Sequence, residues 1–242
     1  MFAAAVACLA VCQSSRAAQV DLTNAHLSDL LVPGSYAIVG NERFDTFTFS
    51  ATSSGGAMQP DPTNIKVSAI NPPPDTGLFF QGGPFLTVGN QTVDAHLTFD
   101  VTALNPSLPI TMANLSYTAA TAGGGSASIL EVVRDASNQQ LGQQLVIEQQ
   151  NLPNGGMSFA TMTFAPQTTI QVSKDILLVG DAFTTTSPIN VAAVSDFSQA
   201  FDGPRVPEPS SVVMAAMGSA GLGWFGWRRK NRNRVRQSLK AA

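Results

Sequence analysis

Asp94, His96 and Asp100 stand at positions of one parity in a single short stretch of the chain. On an extended backbone, residues two apart project from the same face about 7 Å apart, so Asp94 and His96 are near enough to share a metal ion. They are the metal candidates of this sequence. The competing and favoured reading is a polar strand surface facing solvent, because Val93, Ala95, Leu97, Phe99 and Val101 take the other parity. His26 and His96 are the two histidines of the chain, so histidine catalysis has two candidates. The sequence contains no Gly-x-Ser-x-Gly elbow, no phosphate loop and no His-x-x-x-His pair. Nothing selects one of its many serines for a Ser-His-Asp triad. No catalytic residue, no cofactor and no definite metal site are predicted.

Two other chemistries have residues to weigh. A sugar platform needs flat aromatic faces to stack on pyranose rings. Both tryptophans lie in the tail, at Trp224 and Trp227, leaving Tyr36, Tyr117 and the phenylalanines. Phe79-Phe80 beside Gly82-Gly83 is the sugar-patch candidate, although core plus a turn explains it as well. Acidic loop positions at Asp61 (near Asn64), Asp181 and Asp202 lack EF-hand or RTX spacing, so no calcium site is placed.

The elements that must carry these residues read as strands. Period-two alternation over residues 92–101 predicts a half-buried strand. Ile170, Val172, Ile176 and Leu178 share one parity, with Lys174 the exception; Ile189, Val191, Ala193 and Phe197 repeat the pattern. Over residues 110–119 the apolar parity flips between Met112 and Leu115, as a β-bulge would cause. Turn clusters at 53–56, 71–75, 81–84, 122–125 and 153–156 punctuate these runs. Residues 22–31 form the one segment with helical spacing. The expected fold is all-β: an antiparallel, jelly-roll-like β-sandwich over residues 18–202.

The two ends carry different signals. Residues 2–11 form an apolar run of signal-peptide length, too short to span a bilayer, followed by Ser15-Arg16-Ala17. Residues 1–17 are therefore read as a signal peptide for Sec-type export. Both cysteines, Cys8 and Cys12, fall within it; once it is removed, neither disulfides nor Cys-ligated zinc are available. Between Gln19 and Arg205 there are fifteen acidic and five basic residues. Such an acidic body repels phosphate backbones and excludes nucleic acid as a partner. Pro207-Glu208-Pro209 ends a Pro-rich stalk (203–209), which proline keeps extended and readable by a protease. Residues 210–227 carry no charge, near the lower limit for a transmembrane helix. The basic tail 228–242 opens with Arg228-Arg229-Lys230, a stop cluster that stays cytoplasmic by the positive-inside rule.

Pro207-Glu208-Pro209, then the Gly-rich run from Gly218 to Trp224, then Arg228-Arg229-Lys230 together resemble the PEP-CTERM sorting signal of exopolysaccharide-producing Gram-negative bacteria. The resemblance covers about residues 206–236; the tail runs on further than is usual in that family. It implies an exosortase as processing partner, acting near the PEP motif, with the inner membrane as a transient single-pass anchor. The function expected is that of an exported surface or extracellular-matrix protein with a structural or interaction role, and not an enzyme. The alternative is a carbohydrate-binding module of the exopolysaccharide matrix, and the third reading is a secreted hydrolase.

Overall fold

A computed structural model describes residues 18–70, 76–149, 157–182 and 189–202. The signal segment 1–17, the turn clusters 71–75 and 153–156, Pro207-Glu208-Pro209, the span 210–227 and the Arg228-Arg229-Lys230 cluster lie outside them. The chain divides into a unit of residues 1–204 and a second of residues 205–242. All the described strands belong to the first unit.

Among the described residues, thirteen strands, one α-helical turn and one 3-10 turn succeed one another: β1 (Ala25–His26), α1 (Leu27–Leu30), β2 (Tyr36–Val39), β3 (Glu42–Ser54), the 3-10 turn (Pro62–Asn64), β4 (Ile65–Ile70), β5 (Thr76–Gly82), β6 (Leu86–Val88), β7 (Thr92–Ala103), β8 (Ile110–Ala122), β9 (Ser126–Asp135), β10 (Gln140–Gln149), β11 (Phe159–Gln167), β12 (Thr169–Val179) and β13 (Val191–Asp202). They form two sheets. One runs β10-β9-β12-β7-β3-β2; the other runs β1-β4-β5-β13-β8-β11, with β6 also paired to β13. Every ladder between these strands is antiparallel. The all-β, two-sheet antiparallel sandwich expected from the alternation is what the chain forms. Of the helical segment expected over 22–31, only the four residues of α1 are helical, with the Asp29 carboxylate accepting from the His26 backbone N–H.

Alternation explains the core where no bulge intervenes. Val93, Ala95, Leu97, Phe99 and Val101 of β7 are all fully buried, as are Ile170, Val172, Ile176 and Leu178 of β12. Phenylalanines bridge the two layers: Phe99 of β7 lies 6.4 Å from Phe80 of β5, which stacks at 4.7 Å on Phe197 of β13. Such ring pairs add about 0.5–1.5 kcal/mol beyond the area they bury.

Bulges redirect the rest. The β3–β7 register slips between Asp45 and Thr48, where Thr46 takes φ +56°, and the inward set changes from Glu42 and Phe44 to Phe47 and Phe49. A slip between Val194 and Asp196 on β13 does the same. Ala192 and Val194 therefore face inward ahead of Phe197, and Ile189 is exposed, so the expected face of Ile189, Val191, Ala193 and Phe197 does not exist as one surface. On β8 the parity change falls between Ile110 and Ala113 instead of beyond Met112, opposite the slip in β11 between Thr163 and Gln167. At Gly77 of β5 the backbones come so close that a Cβ would lie 1.9 Å from the Gln199 carbonyl oxygen.

Candidate functional site

The polar residues of β7 and β12 share the outer face of their sheet. Asp94 and His96 are both exposed there, and the structure brings Asp175 to the same face as the register partner of His96. Desolvation is the main cause that raises the Asp175 pKa; the Asp94 carboxylate adds to it by charge and by hydrogen bonding, against the opposing influence of His96. His96 directs Nε2 at Ser173 Oγ, 2.9 Å away. Asp100, on the same face, has its pKa raised first by desolvation and further by Asp45, while Thr46 and Gln171 hydrogen bonds oppose. Among the described residues, no three His, Cys, Asp or Glu side chains are grouped to hold a metal. Ser173, His96 and Asp175 lie on an open sheet surface, away from the grooves lined by Gln19–Thr23 and by Leu30–Ser35. His26 is exposed at the N-cap of α1.

The aromatic candidates for sugar stacking are mostly spent inside. Phe80 and Tyr117 are buried, with Tyr117 Oη donating to the Ala127 carbonyl at 3.3 Å; Phe79 is half-buried. Tyr36 keeps a partly open ring, but the Arg43 guanidinium covers it at 4.5 Å, while Arg43 also pairs with Asp45 at 2.8 Å. The acidic loop residue Asp61 accepts from both the backbone and the hydroxyl of Thr63, capping the 3-10 turn that succeeds it.

The most unusual chemistry lies between the sheets. Lys174, the exception in the apolar parity of β12, points into the core and is fully buried, with Glu131 of β9 directly opposite it in register. Lys174 Nζ donates to Glu131 Oε2 and to Gln199 Oε1, the latter arriving from β13 of the other sheet. Glu131 Oε1 accepts from Gln144 Nε2 at 2.7 Å, and that amide also reaches the Ala113 carbonyl at 3.5 Å. Gln199 Nε2 and Gln144 Oε1 are buried with no hydrogen-bond partner among the described residues. Desolvation holds the Lys174 amine well below its usual value, against the opposing effect of Glu131. Sequence reasoning missed this cluster, although the break at Lys174 in an otherwise apolar face was its visible signal. A second buried acid, Glu42 at the start of β3, has its pKa pushed up to about 8 by desolvation; a Thr76 hydrogen bond opposes and Asp202 adds to the rise.

No curated protein matches this chain. Among solved structures, the TmCBM61 module in complex with β-1,4-galactotriose is 13% identical over 64% of this chain and 87% of its own, with a TM-score of 0.28. The enzymatically active domain of bacteriophage CBA120 tailspike protein 4 is 12% identical over 64% of this chain, with a TM-score of 0.28, and the match spans only 19% of that chain. A DUF4465 family protein from Bacteroides caccae is 8% identical over 61% of this chain and 92% of its own, with a TM-score of 0.25. Likenesses at these scores bear on neither ligand nor activity. The family comparison bears on the tail, where Pro207-Glu208-Pro209 and the Arg228-Arg229-Lys230 cluster stand: a family model described as the PEP-CTERM protein-sorting motif matches residues 205–230. The chain thus carries a C-terminal PEP-CTERM protein-sorting motif at residues 205–230, three residues beyond the last strand of its sandwich.

Proposed function

We propose that this is an exported, exosortase-sorted protein of the cell surface or extracellular matrix, whose sandwich has a structural or interaction role and is not an enzyme acting on a substrate. The sorting motif at residues 205–230 carries this reading. Export by a Sec-type route follows from the apolar run and small residues of 1–17, and residues 210–227 act as the transient inner-membrane anchor ahead of the Arg228-Arg229-Lys230 stop. The strand path, which passes between sheets at most of its long connections, supports the jelly-roll-like form of the sandwich. The open sheet face around His96 supports a non-enzymatic role, because it offers no enclosed site from which water is excluded.

The test is processing of the full chain in a host that has an exosortase. The C-terminus of the exported protein is mapped by mass spectrometry, beside a Glu208→Ala variant. The variant should keep its tail while the parent loses it. Normal trimming of the variant would count against exosortase sorting. Retention of the same protein on the host's exopolysaccharide would move the reading toward a carbohydrate-binding role.

A further inference from the structure

Lysine and glutamate are placed in a protein interior at a high desolvation cost, and a buried amide atom without a partner adds to it. The centre of this sandwich holds all three: Lys174, Glu131 and the unpartnered Nε2 of Gln199. They are not neighbours by accident of one strand. Lys174 belongs to one sheet and Gln199 to the other, and each sits mid-strand, flanked along its inward face by apolar residues such as Val172, Ile176 and Phe197.

We propose that Lys174 and Gln199 form an intramolecular isopeptide bond that joins the two sheets covalently, with Glu131 as the proton-transferring catalytic residue. Lys174 Nζ already touches Gln199 Oε1, and the carbonyl carbon lies only one C=O bond, about 1.23 Å, beyond that oxygen. The bond that forms is Nζ–Cδ, and the bond that breaks is Cδ–Nε2. Glu131 takes a proton from Nζ as the amine adds to the carbonyl carbon and delivers one to Nε2, which leaves as ammonia. The products are a secondary amide and one ammonia; nothing is oxidised or reduced, and no co-reactant is required.

Each part of the arrangement serves that step. Desolvation favours the neutral, nucleophilic amine of Lys174 over the ammonium form. The Glu131 carboxylate touches the amine through Oε2, while Gln144 holds its other oxygen at 2.7 Å and fixes its orientation. Gln199 Nε2, with no hydrogen-bond partner among the described residues, is the group that leaves. Holding both reactants in fixed contact supplies the effective concentration that an amine and an unactivated carboxamide need to react. The reaction also replaces a buried ionisable amine with a neutral amide. Both cysteines lie in the predicted signal segment, so an amide is the cross-link this sandwich has the side chains to make. It would tie down β13, the strand that leads to the sorting motif.

The experiment is peptide mapping of the folded, full-length chain after denaturation and trypsin digestion. Lys174 is the one trypsin site between Arg134 and Arg205. A linked protein should yield segment 135–205 uncut at Lys174 and lighter by one ammonia, with fragmentation placing the bond between Lys174 and Gln199. Recovery of separate, unmodified segments 135–174 and 175–205 would overturn the proposal. Glu131→Gln should leave Lys174 and Gln199 unlinked, and full linkage in that variant would overturn the role given to Glu131. Should that variant not fold, the peptide map of the unsubstituted chain still decides whether the bond exists.

Discussion

Lys174 and Gln199 meet across the interior of the sandwich, one from β12 and the other from β13 of the opposite sheet. Glu131 stands beside Lys174 on its own sheet, in direct register. Removing one member of a buried charged set leaves the others desolvated without a partner, whereas apolar replacement of the pair is often neutral or better. Lys174→Met should therefore destabilise the protein by about 3–5 kcal/mol. Lys174→Met combined with Glu131→Leu should be more stable than Lys174→Met alone, because the buried carboxylate that lost its partner is removed with it, although neither variant can form the proposed bond to Gln199. Urea unfolding midpoints for the parent, both single variants and the double variant form the cycle that checks it; a double variant worse than either single one would contradict the argument.

Glu42 introduces a pH dependence. Its pKa rises from 4.5 to about 8 on folding, so between these values the folded state binds more protons than the unfolded one. Stability must then fall as pH rises through that window, by at most ~1.4 kcal/mol per pH unit from this group. Below pH 4.5 both states hold the proton and the penalty vanishes. Glu42→Gln should flatten the dependence and raise stability near the folded pKa of about 8, while leaving it nearly unchanged below 4.5. Thermal melts of the two proteins across that range measure the difference.

How far the sequence could be read depended on whether the ladder stayed in register. β7 and β12 run without a bulge against each other, and their alternation identified every apolar core residue on them from Val93 to Val101 and from Ile170 to Leu178. β3 and β13 each slip by a residue, near Thr46 and Ser195, and beyond a slip the same spacing points to the opposite face. The interior cluster was illegible for a different reason. A polar residue on a half-buried strand is ordinarily assigned to solvent, so nothing in the spacing marks Gln199, Gln144 or Glu131 as interior, and only the in-phase Lys174 breaks a pattern. Cross-sheet proximity joins the four, and no local period records it. The outer-face candidates had the converse history: Asp94 and His96 do share a face, but Asp175, which lies opposite His96, comes from a strand about eighty residues away in sequence.

Gly77 couples β5 to the interior cluster. Its missing side chain lets β5 lie against the backbone of Gln199, where a Cβ would come within 1.9 Å of the carbonyl oxygen. The obstacle is backbone in a paired strand, so relief requires the strands to separate. Gly77→Ala should cost about 1–3 kcal/mol, in the range of overpacked interiors. It should also shift the backbone amide resonances of Gln199 and Ala200 in a 15N-correlated spectrum, because the close approach is to their backbone. An alanine variant with parental stability and unchanged Gln199 resonances would show that the close approach is relieved at no cost.

The outer face answers differently to substitution. Asp175 and Asp94 are like charges on the solvent side of the sheet, and together with desolvation they raise the Asp175 pKa. A carboxyl whose pKa is raised by folding contributes stability at low pH and loses it as pH climbs through the folded value. Asp175→Asn should thus increase stability slightly at neutral pH and leave it unchanged in acid, where the carboxyl is already neutral. His96→Ala, which removes an exposed ring and one hydrogen bond to Ser173, should change stability by no more than about 0.5 kcal/mol. Added zinc should not raise the melting temperature of the parent protein above that of His96→Ala, because Asp94, His96 and Asp175 are not grouped around a common point. A zinc-dependent rise lost in His96→Ala would instead make this face a metal site.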